Sequence, residues 1–102
     1  RKSPEKVFLE ENLFHEEYVK LKLKLSAQVA YRVYDEFDYY EQQENGSFIA
    51  EINFPKGEWI FYYVASFGED CEVLLPKGVR EEIKIKLQNT LKNYLYYDIQ
   101  MS

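Results

Sequence analysis

An α+β domain, ordered strand, helix, strand, strand, helix, strand and closed by a further helix, is what this sequence predicts. Three stretches carry that expectation: an alternating strand at residues 18–25, a hairpin signal at Asn45-Gly46, and the run EWIFYYVASFGEDCEVLLPKGVR over residues 58–80. In that run Trp59, Ile60, Tyr63, Val64 and Phe67 fall at i, i+1, i+4, i+5 and i+8, one broad apolar stripe of a helix. Gly68 follows as the natural left-handed residue of a helix end. Cys71, Val73 and Leu75 alternate with Glu72 and Leu74, the period of a strand whose one face holds all three. Pro76 and Gly78 end it, and Val79 opens an amphipathic helix with Glu81 and Glu82 near its positive end. The whole order is that of a ferredoxin-like split β-α-β-β-α-β sandwich with an extra C-terminal helix.

The elements follow in chain order. Residues 1–17 mix Val7, Phe8, Leu9, Leu13 and Phe14 with Glu10, Glu11, Glu16 and Glu17. They read as a linker or the tail of an upstream domain, with Ser3-Pro4 able to start a short helix. In YVKLKLKL, Val19, Leu21, Leu23 and Leu25 share one face and Lys20, Lys22 and Lys24 the other. Ser26 sits at an N-cap position, and Ala27, Ala30, Val33, Tyr34 and Phe37 follow at helical spacing. Asp35, Glu36 and Asp38 stand at the unfavourable end of that helix, which should stop close to Phe37. Residues 39–44 and 47–55 flank Asn45-Gly46, a dipeptide suited to a two-residue hairpin turn. In the second arm Phe48, Ala50, Ile52 and Phe54 alternate with Ser47, Ile49, Glu51 and Asn53. The last helix carries Val79, Ile83, Leu87, Leu91 and Tyr94 on one side, with Glu82 and Lys86 as an i,i+4 pair opposite. The domain proper is expected over residues 18–97, with 98–102 fraying.

Composition narrows the function. A chain of 102 residues is one domain of ordinary size, able to bury a core without disulfides. Ten Tyr and seven Phe suit a half-buried sheet or an interface, because the ring buries while the hydroxyl stays wet. A net charge of −5 argues against a nonspecific grip on a phosphate backbone. A single Cys excludes an internal disulfide and fits a reducing, cytoplasmic setting. No apolar run approaches the roughly 20 residues that span a bilayer, so no membrane partner is expected. Arg1-Lys2-Ser3-Pro4 has neither an initiator Met nor a signal-peptide core, and the chain reads as a piece of a longer protein.

Residues 59–94, with the W-x7-F-G core, the E-V-L-x-P strand and the V-R-x-x-I helix start, resemble the C-terminal extension (WCX) of WYL-domain transcriptional regulators. The V-K-L-K-L strand, the helix holding A-x-x-V and the hairpin at N-G precede the tryptophan helix in the matching order, so the resemblance covers residues 18–94. It implies a bacterial regulator: an N-terminal winged helix-turn-helix that binds DNA, a central WYL domain that receives a nucleic-acid or small-molecule effector, and an extension that contributes to dimerisation and signal relay. The partners implied are therefore the upstream domains of the same chain and a second copy in a homodimer, with DNA bound through the missing N-terminal domain. No winged-helix segment is present, and Trp59 is followed by Ile60 and Phe61 where a W-Y-L tripeptide would continue. None of that family's effector-contact residues is carried over.

Candidate contact residues are few. Lys20, Lys22 and Lys24 make a basic stripe near Tyr39 or Tyr40, suited to an anion or nucleic acid, though a solvated strand face reads the same way. Arg80 suits a carboxylate across a subunit or on an effector, or an intrachain pair with Glu69, Asp70 or a nearby Glu. Trp59, at helical spacing with Tyr63 and Phe67, reads as core more readily than as an interface anchor. Cys71 and His15 are the only thiol and the only imidazole. A Cys–His dyad needs close contact and a third orienting group, and Cys71 shares a face with Val73, so an inert buried thiol is the reading. No spacing suggests a metal site and no glycine loop a phosphate cradle, so no cofactor and no catalytic set are expected. The leading expectation is a non-catalytic regulatory and oligomerisation domain. An effector-binding sensor is the alternative, and a small ferredoxin-like enzyme ranks third.

Overall fold

The computed structural model describes residues 17–101. The first strand, β1 (Tyr18–Leu25), leads through a single-turn 3₁₀ segment (Ala27–Val29) into α1 (Ala30–Glu36). Then come β2 (Tyr39–Gln42), β3 (Phe48–Pro55), α2 (Trp59–Ala65), a second 3₁₀ turn (Gly68–Asp70), β4 (Cys71–Leu75) and α3 (Lys77–Met101). The four strands form one antiparallel sheet in the order β2-β3-β1-β4. This α+β sandwich has the expected split β-α-β-β-α-β connectivity, with α3 added at the C-terminus. The short helix proposed to start at Ser3 lies outside the described residues.

Strand alternation decides which sheet face is covered. Leu21, Leu23 and Leu25 are fully buried, and Leu21 stands opposite Ile52, Leu23 opposite Ala50 and Leu25 opposite Phe48. Val29, Val33 and Phe37 from the α1 side, with Ile60, Val64 and Phe67 from the α2 side, close over that face. Burying one such aliphatic side chain contributes roughly 1.5–3 kcal/mol, so this single layer holds most of the domain's stability. Ser26 does cap the first turn: its hydroxyl accepts from Gln28 N–H and donates to Asp70 Oδ1 at 2.7 Å, tying the end of β1 to the turn before β4. Phe37, in extended conformation, ends α1 at the expected place.

Two local expectations are corrected. The hairpin turn has three residues, not two. Gly46 N–H donates to Gln43 O at 3.0 Å, and Gln43 N–H to Ser47 O at 2.8 Å, leaving Glu44, Asn45 and Gly46 as the loop. Only Gly46 takes a positive φ, 89°, while Asn45 Oδ1 accepts from Ser47 N–H and from its hydroxyl; this is a type I turn closed by a glycine bulge. The second correction concerns Leu75. The pairing of β4 shifts between Leu23↔Val73 and Lys22↔Leu75, so Leu74 is an extra residue. That bulge brings Leu75 opposite Lys22, away from the face of Cys71 and Val73, and leaves it half exposed.

The C-terminal helix is the outlier of the fold. It begins at Lys77, directly after the cis Leu75–Pro76 peptide, and runs past Tyr97 to Met101. Ile83 is its one residue in the buried core among the described side chains, with Val79 packed beside it. From Ile85 onward, its described apolar side chains are exposed.

Candidate functional site

Two regions beside the core hold the polar and apolar groups that the fold leaves in particular arrangements. The first lies between α1 and α2. Glu36, only 5 % exposed, accepts from Arg32 Nε at 2.7 Å and Nη2 at 3.1 Å, and from the Tyr63 hydroxyl at 2.8 Å. Arg32 Nη1 donates on to the Ser66 carbonyl and hydroxyl, and the guanidinium lies 3.7 Å from the centroid of the Phe67 ring. A buried carboxylate is tolerated here because a bidentate arginine and a phenol satisfy it. Burial works against the Arg32 charge, but hydrogen bonding and attraction to Glu36 outweigh it and raise its pKa. Burial first, and the Glu36 hydrogen bond second, push the Tyr63 hydroxyl well above the ordinary phenol value. This cluster locks α1 to α2. The sequence hinted at it only through the i,i+4 spacing of Arg32 and Glu36 on one helix.

The second region is a groove of about 370 Å³ between α2, β4 and α3. Phe61 and Val64 form one wall, Cys71 and Val73 the floor, and Ile83, Leu87 and Leu91 the other wall. A second hollow, lined by Val19, Lys56, Ile60, Val79 and Lys86, shares Phe61 and Ile83 with it and opens beside the start of β1. Lys86, expected to pair with Glu82, instead holds its ammonium 5.3 Å from the centroid of the Phe61 ring. The Cys71 thiol faces this groove, yet burial pushes its pKa up to about 12, so almost none is thiolate near neutrality. That is the inert thiol the sequence suggested.

The other sequence-chosen residues are dispersed. Lys20, Lys22 and Lys24 project from the uncovered sheet face, as the alternation required. Two of their five registered cross-strand neighbours are acidic, Glu51 opposite Lys22 and Glu72 opposite Lys24, the others being Asn53, Ile49 and Leu75, and Lys20 reaches Glu51 at 3.9 Å. Tyr39, also opposite Glu51, lies on this face, and Lys22, Tyr39, Glu41, Ile49, Glu51 and Leu74 line a shallow hollow. Arg80 lies elsewhere, at the groove. Its Nη1 donates to Glu72 Oε2 and to the Val73 carbonyl at 2.8 Å, fastening α3 to β4. His15 lies outside the described residues. Trp59 is not core: it is 62 % exposed and stands edge-on to exposed Tyr62 at 6.4 Å. It opens α2 one residue before Ile60, which takes the buried position. Among the described residues no group of three His, Cys, Asp or Glu side chains is placed to hold a metal ion, and no helix is long and apolar enough to cross a membrane.

A family profile spans the residues that carry this fold and both regions. The WCX domain profile matches residues 17–91, almost all of the described body. This chain belongs to the WCX domain family. No curated protein matches it. The WCX match supports, at the level of the family, the C-terminal domain of a WYL-type regulator, and WCX is a regulator-associated domain, not an enzyme family. Within this WCX domain the match covers both regions described above, the Arg32–Glu36–Tyr63 lock and the groove beneath α3.

Proposed function

We propose that this WCX domain is the C-terminal regulatory and oligomerisation module of a bacterial WYL-type transcriptional regulator. It relays effector binding in upstream domains to a winged helix-turn-helix that binds DNA. The observation that carries the reading is the distribution of apolar surface on a body that matches the family. Trp59 and Tyr62 on α2, and Tyr94 and Leu95 far along α3, are large, apolar and at least half exposed. Exposed aromatic anchors of this kind are what interfaces use, and a second copy of the chain is the partner we assign to them. Sedimentation of the longest form of the regulator, with and without residues 17–101, tests this. Loss of the dimer on deletion is expected; a dimer that persists rejects the assembly role.

The uncovered sheet face supports a second reading, an effector or domain contact. Its hollow joins Lys22 to Tyr39 and Tyr40, but Glu41 and Glu51 stand among them. Interleaved signs suit a neighbouring WYL domain or a small zwitterion better than a polyphosphate. Replacing Lys20, Lys22 and Lys24 together with Glu should abolish any single-stranded nucleic-acid binding, measured by fluorescence anisotropy. Unchanged binding would remove these lysines from the interface. On this proposal the setting is cytoplasmic and the domain does no chemistry.

A further inference from the structure

We infer that the groove between α2, β4 and α3 binds a linear amphipathic carboxylate, a free medium-chain acid whose tail lies along α3 and whose head meets Lys84. Two neighbouring rows of α3 line this groove. Ile83, Leu87 and Leu91 form one, and Arg80, Lys84 and Gln88 the other, each spaced i, i+4 so that its members stack along one stripe of the helix. Arg80 reaches Glu72 and the Val73 carbonyl, which turns the polar row toward β4 and leaves the apolar row toward Phe61 and Val64. The groove therefore has an apolar wall and a polar rim running side by side.

The wall suits a hydrocarbon tail. Leu87 and Leu91 are 51 % and 54 % exposed, and with Phe61 and Val73 they offer a surface from which an apolar chain displaces water favourably. From Ile83 to Leu91 the row extends for roughly 12 Å at about 1.5 Å per residue. With carbon–carbon bonds of about 1.5 Å, a zigzag chain of about ten carbons covers it. The volume of about 370 Å³ is that of a small-molecule site.

The rim selects the head group by charge. Arg80 is already held by Glu72, whereas Lys84 has no hydrogen-bond or ion-pair partner among the described residues. Lys86, with its ammonium over the Phe61 ring, adds positive charge on the α2 side, against Glu82 in the adjoining hollow. A carboxylate at Lys84 makes a charge-assisted hydrogen bond, and the Gln88 amide is a further donor on the same row. A net charge of −5 makes an anionic bilayer surface a poor source for this ligand, so the free acid is the occupant. A second copy fits less well, because a two-fold pairing centred on this patch would bring its lysines together. The inference stands apart from the regulator reading, since it needs neither a dimer nor an upstream domain.

Sodium decanoate is the probe, titrated at neutral pH into the full 102-residue chain and followed by amide shifts, with decyltrimethylammonium as the matched cation. Decanoate should bind with a Kd below about 1 mM, moving the amides of residues 61–65, 71–73 and 83–91 and sparing Lys22 and Glu51 on the open face. The cation should bind at least about tenfold more weakly, although a chain of net charge −5 attracts it at long range. Lys84→Glu, a change at an exposed side chain, should weaken decanoate at least about fivefold. Leu87→Asn with Leu91→Asn should abolish binding of both amphiphiles in a chain that keeps its cooperative unfolding transition. Groove amides that do not move, a cation that binds as well as the anion, or a preference unchanged by Lys84→Glu overturns the inference. Groove amides that move with chain concentration alone, the sign of a second copy seated there, overturn it too.

Discussion

The space between α1 and α2 and the space between α2 and α3 rest on the same sheet face, yet they are finished differently. In the first, a helix of seven residues is enough: Val33 is fully buried, and Glu36 is satisfied by Arg32 and Tyr63. In the second, a helix of 25 residues contributes Ile83 to the core and then carries Leu87, Leu91, Tyr94 and Leu95 into solvent. A helix far longer than its packed portion is not explained by folding alone, since most helical stability comes from packing an apolar face. The first region is therefore a structural lock. The second leaves apolar side chains of α3 exposed among the described residues.

The largest expected effect breaks the lock. Glu36→Ala leaves Arg32 largely buried without its carboxylate and should lower unfolding stability by about 3 kcal/mol, read by urea denaturation. Replacing both partners, Arg32→Met with Glu36→Leu, should recover most of that loss. A Glu36→Ala change within about 0.5 kcal/mol of the parent would show that the lock is ornamental.

Next is alkaline pH, which probes both regions through groups whose proton is held by the fold. Cys71 ordinarily titrates near 9 and is pushed up to about 12, chiefly by burial. The unfolded chain therefore loses this proton first, and stability present below pH 9 declines as pH rises toward the folded value. By pH 10.5 the loss from this one group is about 2 kcal/mol. Tyr63 shifts in the same direction and adds to the decline above pH 10, its ordinary value. Cys71→Ala should flatten the slope between pH 9 and 10.5. An unchanged slope would mean that the thiol is not protected as its burial requires. At neutral pH, Tyr63→Phe removes one hydrogen bond to Glu36 and should cost about 1 kcal/mol, the smaller sign of the same lock.

The fold was legible because its sheet alternates cleanly. Leu21, Leu23 and Leu25 against Lys20, Lys22 and Lys24 declare one covered face, and Phe48, Ala50, Ile52 and Phe54 repeat the statement on the paired strand. Legibility ended where pairing, not periodicity, decides. The β4 bulge that turns Leu75 toward the open face needs the register with β1, which one strand's sequence does not contain. Trp59 shows the same limit on a helix: its spacing with Tyr63 and Phe67 is helical, but the buried stripe runs through Ile60 and Val64. The site was less legible than the fold. Lys20, Lys22 and Lys24 read as a basic stripe until the neighbouring strands add Glu41 and Glu51 to the same face. The Glu36 lock depends on Tyr63, 27 residues away, so no local pattern announces it.

The smallest expected change in stability is the most informative about contact. Tyr94 and Leu95 lie well past Ile83, the last residue of α3 in the core among the described side chains, and both are at least half exposed. Tyr94→Ser with Leu95→Ser removes apolar surface that the described body does not cover. Both residues retain helical positions, and serine's lower propensity costs only a few tenths of a kcal/mol each. Unfolding stability, measured at a concentration where the chain is monomeric, should stay within about 1 kcal/mol of the parent. Sedimentation at high concentration should then show weakened self-association, because interface anchors of this size commonly contribute about 2 kcal/mol or more each when truncated. A loss of stability as large as that of Glu36→Ala would place this end of α3 inside the fold, beside the lock. Stability and association both unchanged would leave the length of α3 without a role in assembly, and the contact surface would move to Trp59 and Tyr62 on α2.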